Sequence, residues 1–218
     1  MNERYMDQLL HRLGKLTRLL GDLLAVNMLW ILCSLPVITI GAASSAAYAV
    51  LLRRIMHGEI PVFKTWCDAF KSNFRRSLAF EGILAVAGLA LWADIQMVFS
   101  FTGAIRWAYA GACAIIAVIF FVIALFALPQ QTLFDNTLKG IVKNAFALAF
   151  CYPVKFLLCC LYWVAVIGSA LYLPWDIVER LGFLWLMWGL SCPAWLTSKV
   201  LISIFAKLDP SIKENEDK

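Results

Sequence analysis

Charged residues are scarce in this chain of 218 residues, where Asp, Glu, Lys and Arg together make up only 15%. Hydrophobic residues make up 62%, whereas soluble proteins contain about 45–50%. A soluble fold of this length has too much surface to hide so much apolar material. Several apolar runs also approach the roughly 20 residues that a bilayer-spanning helix needs. The composition therefore excludes an ordinary soluble domain and predicts an integral membrane protein.

Patterns that carry chemistry are also missing. The chain has two histidines and seven cysteines, and no cysteines stand in a C-x-x-C pair, so we expect neither a metal site nor a disulfide framework. The P-loop, H-E-x-x-H and G-x-S-x-G motifs are absent. The net charge of +5 is assigned to basic residues at the cytoplasmic ends of helices rather than to nucleic-acid binding. We therefore expect no enzyme activity, no cofactor and no nucleic-acid partner.

The stretch from Asn27 to Ala47 decides the topology of everything that follows it. Its apolar run is interrupted by Pro36, which cannot continue a helical hydrogen-bond ladder, and by Gly41, which permits a sharp turn. A helix over residues 42–52 would cover only about 17 Å, which is too short for a full crossing. The stretch therefore either crosses the bilayer once or turns back as a hairpin over residues 19–52.

The distribution of basic residues distinguishes these two topologies. If the stretch turns back, all of the 19 Lys and Arg residues except Arg106 and Arg180 lie on one side. If it crosses once, the best division of these 19 residues is 13 against 6. The positive-inside rule favours the hairpin. We therefore expect a bend at Pro36–Gly41 toward the outside, with both termini on the cytoplasmic side of the cell membrane.

The rest of the chain predicts an all-α polytopic protein with about six membrane helices in a single domain over residues 1–208. The two arms of the hairpin are followed by four apolar helices, at about residues 78–101, 107–128, 153–173 and 181–205. Residues 209–218 form a polar cytoplasmic tail. Residues 1–18 form a basic amphipathic helix, for which we expect a position on an anionic membrane surface.

Two cytoplasmic segments are further candidates for amphipathic surface helices. In the segment over residues 53–77, four aromatic residues fall on one helical face: Phe63, Trp66, Phe70 and Phe74. An aromatic stripe backed by Lys and Arg is typical of a helix at the membrane surface. It is equally typical of a helix that packs on the cytoplasmic side of its own protein. The second segment lies within residues 129–152.

Three ionisable residues lie within the predicted spans. Asp94 is about 6 Å from the midplane, where an unpaired charge costs about 2.5–3.5 kcal/mol. It is therefore either a proton or polar-substrate site or a hydrogen-bonded structural acid. Glu81 and Lys199 lie at similar depth near the cytoplasmic face. They either form an ion pair, or Lys199 extends its side chain to the membrane surface.

The run from Asn27 to Ala43, N-M-L-W-I-L-C-S-L-P-V-I-T-I-G-A-A, resembles the opening signature of the YesL-like family of bacterial membrane proteins. The element W-C-D-A-F-K-S-N-F, from Trp66 to Phe74, partly meets a second pattern of that family. The stretch from Asp135 to Phe146 also resembles the family's second cytoplasmic region.

The resemblance implies a membrane protein found mainly in Gram-positive bacteria and often encoded near carbohydrate ABC importers. It implies no established activity and no catalytic residues. We therefore expect an accessory or regulatory partner of a carbohydrate ABC-type uptake system, whose partners are the lipid bilayer and importer subunits or further copies of itself. The alternative is a small transporter or channel with a polar path near Asp94.

Overall fold

The computed structural model describes residues 3–133, 138–172 and 175–208, and its regular elements in those ranges are all helices. The helices are α1 (Glu3–Ser34), α2 (Ile40–His57), α3 (Val62–Met97), α4 (Gly103–Leu133), α5 (Leu138–Cys151), α6 (Pro153–Tyr172), α7 (Trp175–Trp188) and α8 (Ser191–Leu208). A short 3₁₀ turn follows α1, and another follows α3. The predicted all-α class is confirmed. The predicted tail over residues 209–218 lies outside the described residues.

Helix α2 lies at the centre of one of the buried clusters of the described residues. Every residue from Gly41 to Leu52 is buried, and α2 contacts α1, α3, α4 and α8. Its alanines and serines allow neighbouring helix backbones to approach closely from several directions. A helix that is buried on all sides has no need of a polar face. The short second arm of the hairpin is thus the element around which α1, α3, α4 and α8 pack.

The predicted bend between the two arms is present. Helix α1 ends at Ser34, Pro36 follows, and α2 begins at Ile40. The hydroxyl of Thr39 donates to the Cys33 carbonyl at 2.5 Å, and its backbone N–H donates to the Pro36 carbonyl at 2.8 Å. The first bond satisfies a carbonyl that the end of α1 leaves without a helical partner, and the second belongs to the short 3₁₀ turn between the arms.

Two predicted helix boundaries are absent. In both places the side chains change from polar to apolar along a helix whose backbone is continuous. The predicted surface segment over residues 53–77 and the predicted span over residues 78–101 share one helix, α3, from Val62 to Met97. The predicted basic surface helix over residues 1–18 likewise continues without interruption into the first arm, as α1. A helix bends sharply at proline or an equivalent local cause, and neither helix contains a proline.

Two other boundaries also differ from the prediction. Helix α4 continues through Pro129 to Leu133, so the predicted end at residue 128 was wrong. The predicted helix over residues 181–205 is divided at Gly189 and Leu190 into α7 and α8. A side chain at Gly189 would place its Cβ only 2.3 Å from the Trp185 carbonyl oxygen, so this break requires glycine.

The helices α1 to α4 form two hairpins that point in the same direction. Within the first, the ion pair between Asp22 and Arg54 shows that α1 and α2 are antiparallel. The second, α3–α4, is held near its tip by a hydrogen bond between Asp94 and Tyr109. Gly41, at the bend of the first hairpin, contacts α3 near Ser77 and Glu81. The tip of the α3–α4 hairpin therefore extends well beyond the α1–α2 bend.

Three helical segments are long and apolar enough to cross a membrane: Tyr5–Ser34, Val62–Ser100 and Gly103–Thr132. A fourth candidate span consists of Gly140–Cys151 and Pro153–Val166, which meet at an angle of 105°. These candidate spans are identified among the described residues by their length and composition. They support a polytopic helical membrane protein.

Candidate functional site

Glu81 lies at the contact between the two hairpins. Its Oε2 accepts a hydrogen bond from the backbone N–H of Gly41 at 2.9 Å. Gly41 is in the first turn of α2, where backbone N–H groups lack helical partners and the helix dipole favours a negative charge. A carboxylate on α3 therefore stabilises the start of the buried helix.

The ion pair between Glu81 and Lys199, one of the two alternatives for these residues, is not among the ion pairs of the described residues. The Lys199 ammonium instead lies 5.3 Å from the centre of the Trp195 ring, on the same helix. Lys199 is exposed, as expected if its side chain reaches toward the surface. Residues at a similar estimated depth in the membrane are not necessarily in contact. The Glu81 carboxylate is instead bonded to the backbone of the α1–α2 hairpin at Gly41.

Gly41 is needed for the close contact between α2 and α3, and it lies within the first turn of α2 rather than in the bend itself. A Cβ at this position would lie 3.0 Å from Glu81 Oε2, 3.1 Å from Glu81 Cβ and 3.2 Å from the Ser77 carbonyl oxygen. A larger residue therefore requires α2 and α3 to separate. The two residues predicted at the hairpin bend therefore have different roles. Pro36 follows the end of α1, and Gly41 allows α3 to pack closely against α2.

Asn27 stabilises the break between α7 and α8, a role that was not predicted from the sequence. Its side chain is fully buried. The Oδ1 atom accepts from the backbone N–H groups of Leu190 at 3.1 Å and Ser191 at 3.0 Å, while Nδ2 donates to the Leu186 carbonyl at 2.5 Å. Asn27 thus joins α1 to both sides of the break. Its position as an amide inside an apolar run was the available signal, because such residues need partners.

The arms of the α1–α2 hairpin are joined by an ion pair between Arg54 and Asp22. Arg54 Nε donates to Asp22 Oδ2 at 2.6 Å, and the two side chains are only 12% and 28% exposed. A second pair, Arg18 with Glu59, lies at the end of the hairpin away from the bend, and its side chains are 65% and 60% exposed. An exposed pair contributes about 0–1 kcal/mol. The Asp22–Arg54 pair is therefore the stronger link between the arms.

Asp94 has a hydrogen-bond partner on the neighbouring helix. Tyr109 Oη of α4 donates to its Oδ1 at 3.1 Å. The Tyr109 ring also packs against Phe101, with ring centres 5.0 Å apart. These contacts support the structural interpretation of Asp94, in which it ties the two helices of the α3–α4 hairpin together.

The predicted aromatic face on the first half of α3 is largely occupied by the protein itself. Trp66 is 2% exposed and belongs to the core around α2, and Phe70 packs against that core. Phe70 also packs against Phe74, with ring centres 5.6 Å apart. Only Phe63 of the four is strongly exposed, at 69%. For Trp66 and Phe70, the structure therefore supports packing against the protein rather than contact with the membrane surface.

A different apolar surface is exposed on the first half of α1. We call it the α1 stripe, and its side chains are between 49% and 58% exposed: Met6, Leu9, Leu10, Leu13 and Leu16. The stripe follows helical spacing on a helix that is exposed almost all round over residues 5–18. It begins where the Arg18–Glu59 pair marks the end of the hairpin, so α1 projects beyond the packed helices.

Two buried amides at the end of α4 contrast with Asn27. Gln130 is 1% exposed and Gln131 is 3% exposed, and neither side-chain amide has a hydrogen-bond partner in the described parts of the chain. Within those same parts, no group of three His, Cys, Asp or Glu residues is placed to hold a metal ion.

Taken together, the helices and their buried polar contacts define a polytopic all-α membrane protein in which helix α2 is buried among four others. Residues 23–95 match the family described as "Protein of unknown function, DUF624". The matched segment contains Asn27, Gly41, Glu81 and Asp94, and the match agrees with the resemblance to the YesL-like family over these residues. Comparisons with curated proteins and with solved structures find no match.

Proposed function

We propose that this protein is a non-enzymatic accessory or regulatory subunit of a carbohydrate ABC-type uptake system. The observation that carries the proposal is the α1 stripe, a row of exposed apolar side chains on a projecting helix. Exposed apolar patches of this kind mark interaction surfaces. The importer as partner comes from the family resemblance, whose members are often encoded beside carbohydrate importers.

The shape of the α1 stripe suits a protein partner. Residues 5–17 extend about 18 Å past the Arg18–Glu59 pair. Apolar residues at i, i+3, i+4 and i+7 are the contacts that a helix offers to an apolar groove. Because α1 is continuous from Glu3 to Ser34, this part of the helix follows the direction of the hairpin rather than turning along the membrane surface. We therefore favour a groove on a partner over the lipid surface that the sequence predicted.

The proposed orientation places the stripe in the cytoplasm of the cell. Exposed basic residues lie on the same side as the stripe, including Arg12, Lys15, Lys64 and Lys71, and such residues are retained on the cytoplasmic side. The stripe would then be available to the cytoplasmic parts of an importer. The hydrogen bond from Tyr109 accounts for Asp94 without a transport path, which favours the accessory function over the transporter alternative.

Substitutions in the α1 stripe should release the partner. We expect the double variant Leu9→Ser/Leu13→Ser to lower recovery of importer subunits by about tenfold or more, because each buried apolar anchor contributes of the order of 1–2 kcal/mol. The measurement is co-purification from host membranes in mild detergent, quantified by mass spectrometry. Both leucines are exposed, so the fold should be unaffected.

The matched control is Gln8→Ser/His11→Ser, on the opposite face of the same helix. This variant should recover importer subunits at the wild-type level. Equal loss in both double variants would contradict a role for the stripe. A wild-type protein that enriches no importer subunit would contradict the proposed function, and one that enriches only its own copies would identify the stripe as an oligomer interface.

A further inference from the structure

The two halves of α3 differ in the side chains that they expose. The first half carries four exposed charged side chains: Lys64, Asp68, Lys71 and Arg75. The second half carries exposed apolar side chains instead: Ile83, Val86, Leu89 and Trp92, at 56–70% exposure. A charge at the bilayer centre costs about 2.5–3.5 kcal/mol even on insertion scales. Residues 78–97 cover about 30 Å, the thickness of the hydrocarbon core, so α3 enters the bilayer close to residue 78.

The α1–α2 hairpin lies beside the charged half of α3. Its bend contacts α3 through Gly41 and Glu81, at 2.9 Å. Its other end is marked by the pair between Arg18 and Glu59, next to the start of α3 at Val62. The length of the hairpin therefore corresponds to residues 62–81 of α3, before most of the bilayer crossing.

The α3–α4 hairpin continues beyond the bend of the α1–α2 hairpin. From Glu81 to Met97, α3 runs for a further 16 residues, about 24 Å. None of its residues from 82 to 97 is buried, and the Asp94–Tyr109 hydrogen bond shows that α4 accompanies it. An exposed apolar pair of helices of this length matches a crossing through lipid.

The exposed side chains of the α1–α2 hairpin change character at its bend. Between Asp22 and Ile31, α1 exposes no large apolar side chain. At the bend, five are exposed by 40–73%: Leu32, Leu35, Val37, Ile38 and Ile40. No charged residue lies between positions 23 and 52. The hydrogen bonds of Thr39 to the Cys33 and Pro36 carbonyls also reduce the cost of placing a turn in lipid.

We propose that the α1–α2 hairpin is a re-entrant element, whose bend inserts into the acyl chains of the near leaflet and does not reach the far face. The partner of this surface is the lipid itself, at a depth of about 5–10 Å. This placement replaces the expected bend toward the outside. The N-terminus and the α2–α3 loop remain on the same side of the membrane, as charge bias predicts.

Labelling of single introduced cysteines from each side of the membrane tests the proposal. The variants are Ile38→Cys at the bend, Thr102→Cys at the tip of the α3–α4 hairpin and Lys64→Cys on the charged half of α3. A charged, membrane-impermeant maleimide is applied to intact spheroplasts or to inside-out vesicles. Mass spectrometry of the labelled peptides reads each position separately, so the seven native cysteines stay in place.

We expect Thr102→Cys to react from the far side only and Lys64→Cys from the near side only. Ile38→Cys should fail to react from the far side, and should react from the near side at least roughly tenfold more slowly than Lys64→Cys, because lipid disfavours the reactive thiolate. Reaction of Ile38→Cys from the far side at the rate of Thr102→Cys would show a full crossing. Near-side reaction at the rate of Lys64→Cys would place the bend in water. Either result overturns the proposal, and Val37→Cys provides a second probe of the bend if Ile38→Cys does not accumulate.

Discussion

Replacement of Asn27 by leucine is expected to lower the free energy of unfolding by about 3–5 kcal/mol. The substitution removes the three hydrogen bonds that join α1 to the α7–α8 break. It leaves the buried N–H of Ser191 and the part-buried N–H of Leu190 and carbonyl of Leu186 without this partner, and each unsatisfied buried group costs about 1–3 kcal/mol. The midpoint of thermal unfolding in detergent, followed by circular dichroism, gives the measurement. A fall of roughly 10 °C is expected for a chain of this size.

Gln131→Leu is the matched control for Asn27→Leu. Gln131 is also a buried amide, but it has no hydrogen-bond partner in the described residues. Its replacement by an apolar residue should leave the melting midpoint unchanged or raise it, since burial of an unsatisfied amide is itself unfavourable. If the two variants melt at the same temperature, the hydrogen bonds of Asn27 do not hold the break.

Replacement of Gly41 by leucine is expected to cost about 3 kcal/mol, at the upper end of the usual range for overpacking a core. The new Cβ alone would lie 3.0–3.2 Å from atoms of Glu81 and Ser77. Separation of the helices would also weaken the hydrogen bond from the Gly41 N–H to Glu81. The same melting experiment measures the loss.

The control for Gly41→Leu is Gly82→Leu, on α3 one residue beyond Glu81. A Cβ at Gly82 has no atom within 4 Å, and leucine favours helix more than glycine does. Gly82→Leu should therefore match or exceed the wild-type stability. Equal destabilisation by both substitutions would mean that helix α2 does not approach α3 as closely as described.

Local signals made part of the fold predictable. The length of the apolar runs gives the all-α membrane class. Pro36 indicates the end of α1, because proline lacks the N–H that would continue the helical hydrogen bonds, although the same signal failed at Pro129, through which α4 continues. The small residues after Gly41 indicate close packing, although the sequence could not show that α2 would be buried on every side.

Other features depended on partners that are distant in sequence. The α7–α8 break is capped by Asn27, which is more than 160 residues away, so periodicity alone predicted one helix. The location of the aromatic face of α3 was ambiguous, because Trp66 fits a membrane surface or a protein core equally well. In the structure Trp66 packs in the core that contains α2. In α1 and α3, polarity changes along an unbroken helix, and hydropathy reports that change without reporting the continuity of the backbone.

The α1–α2 hairpin lies beside the charged half of α3, and one distance tests this arrangement most directly. Spin labels are introduced as noncanonical residues at positions 38 and 102, so that the native cysteines remain, and their separation is measured by double electron–electron resonance in lipid nanodiscs. A bend that stops near Glu81 predicts about 25 Å or more, because α3 rises a further 24 Å or so before its tip. A hairpin that crosses beside α3 would bring the two bends to about 10–15 Å, the spacing of packed helices plus their labels. That shorter distance would contradict the arrangement.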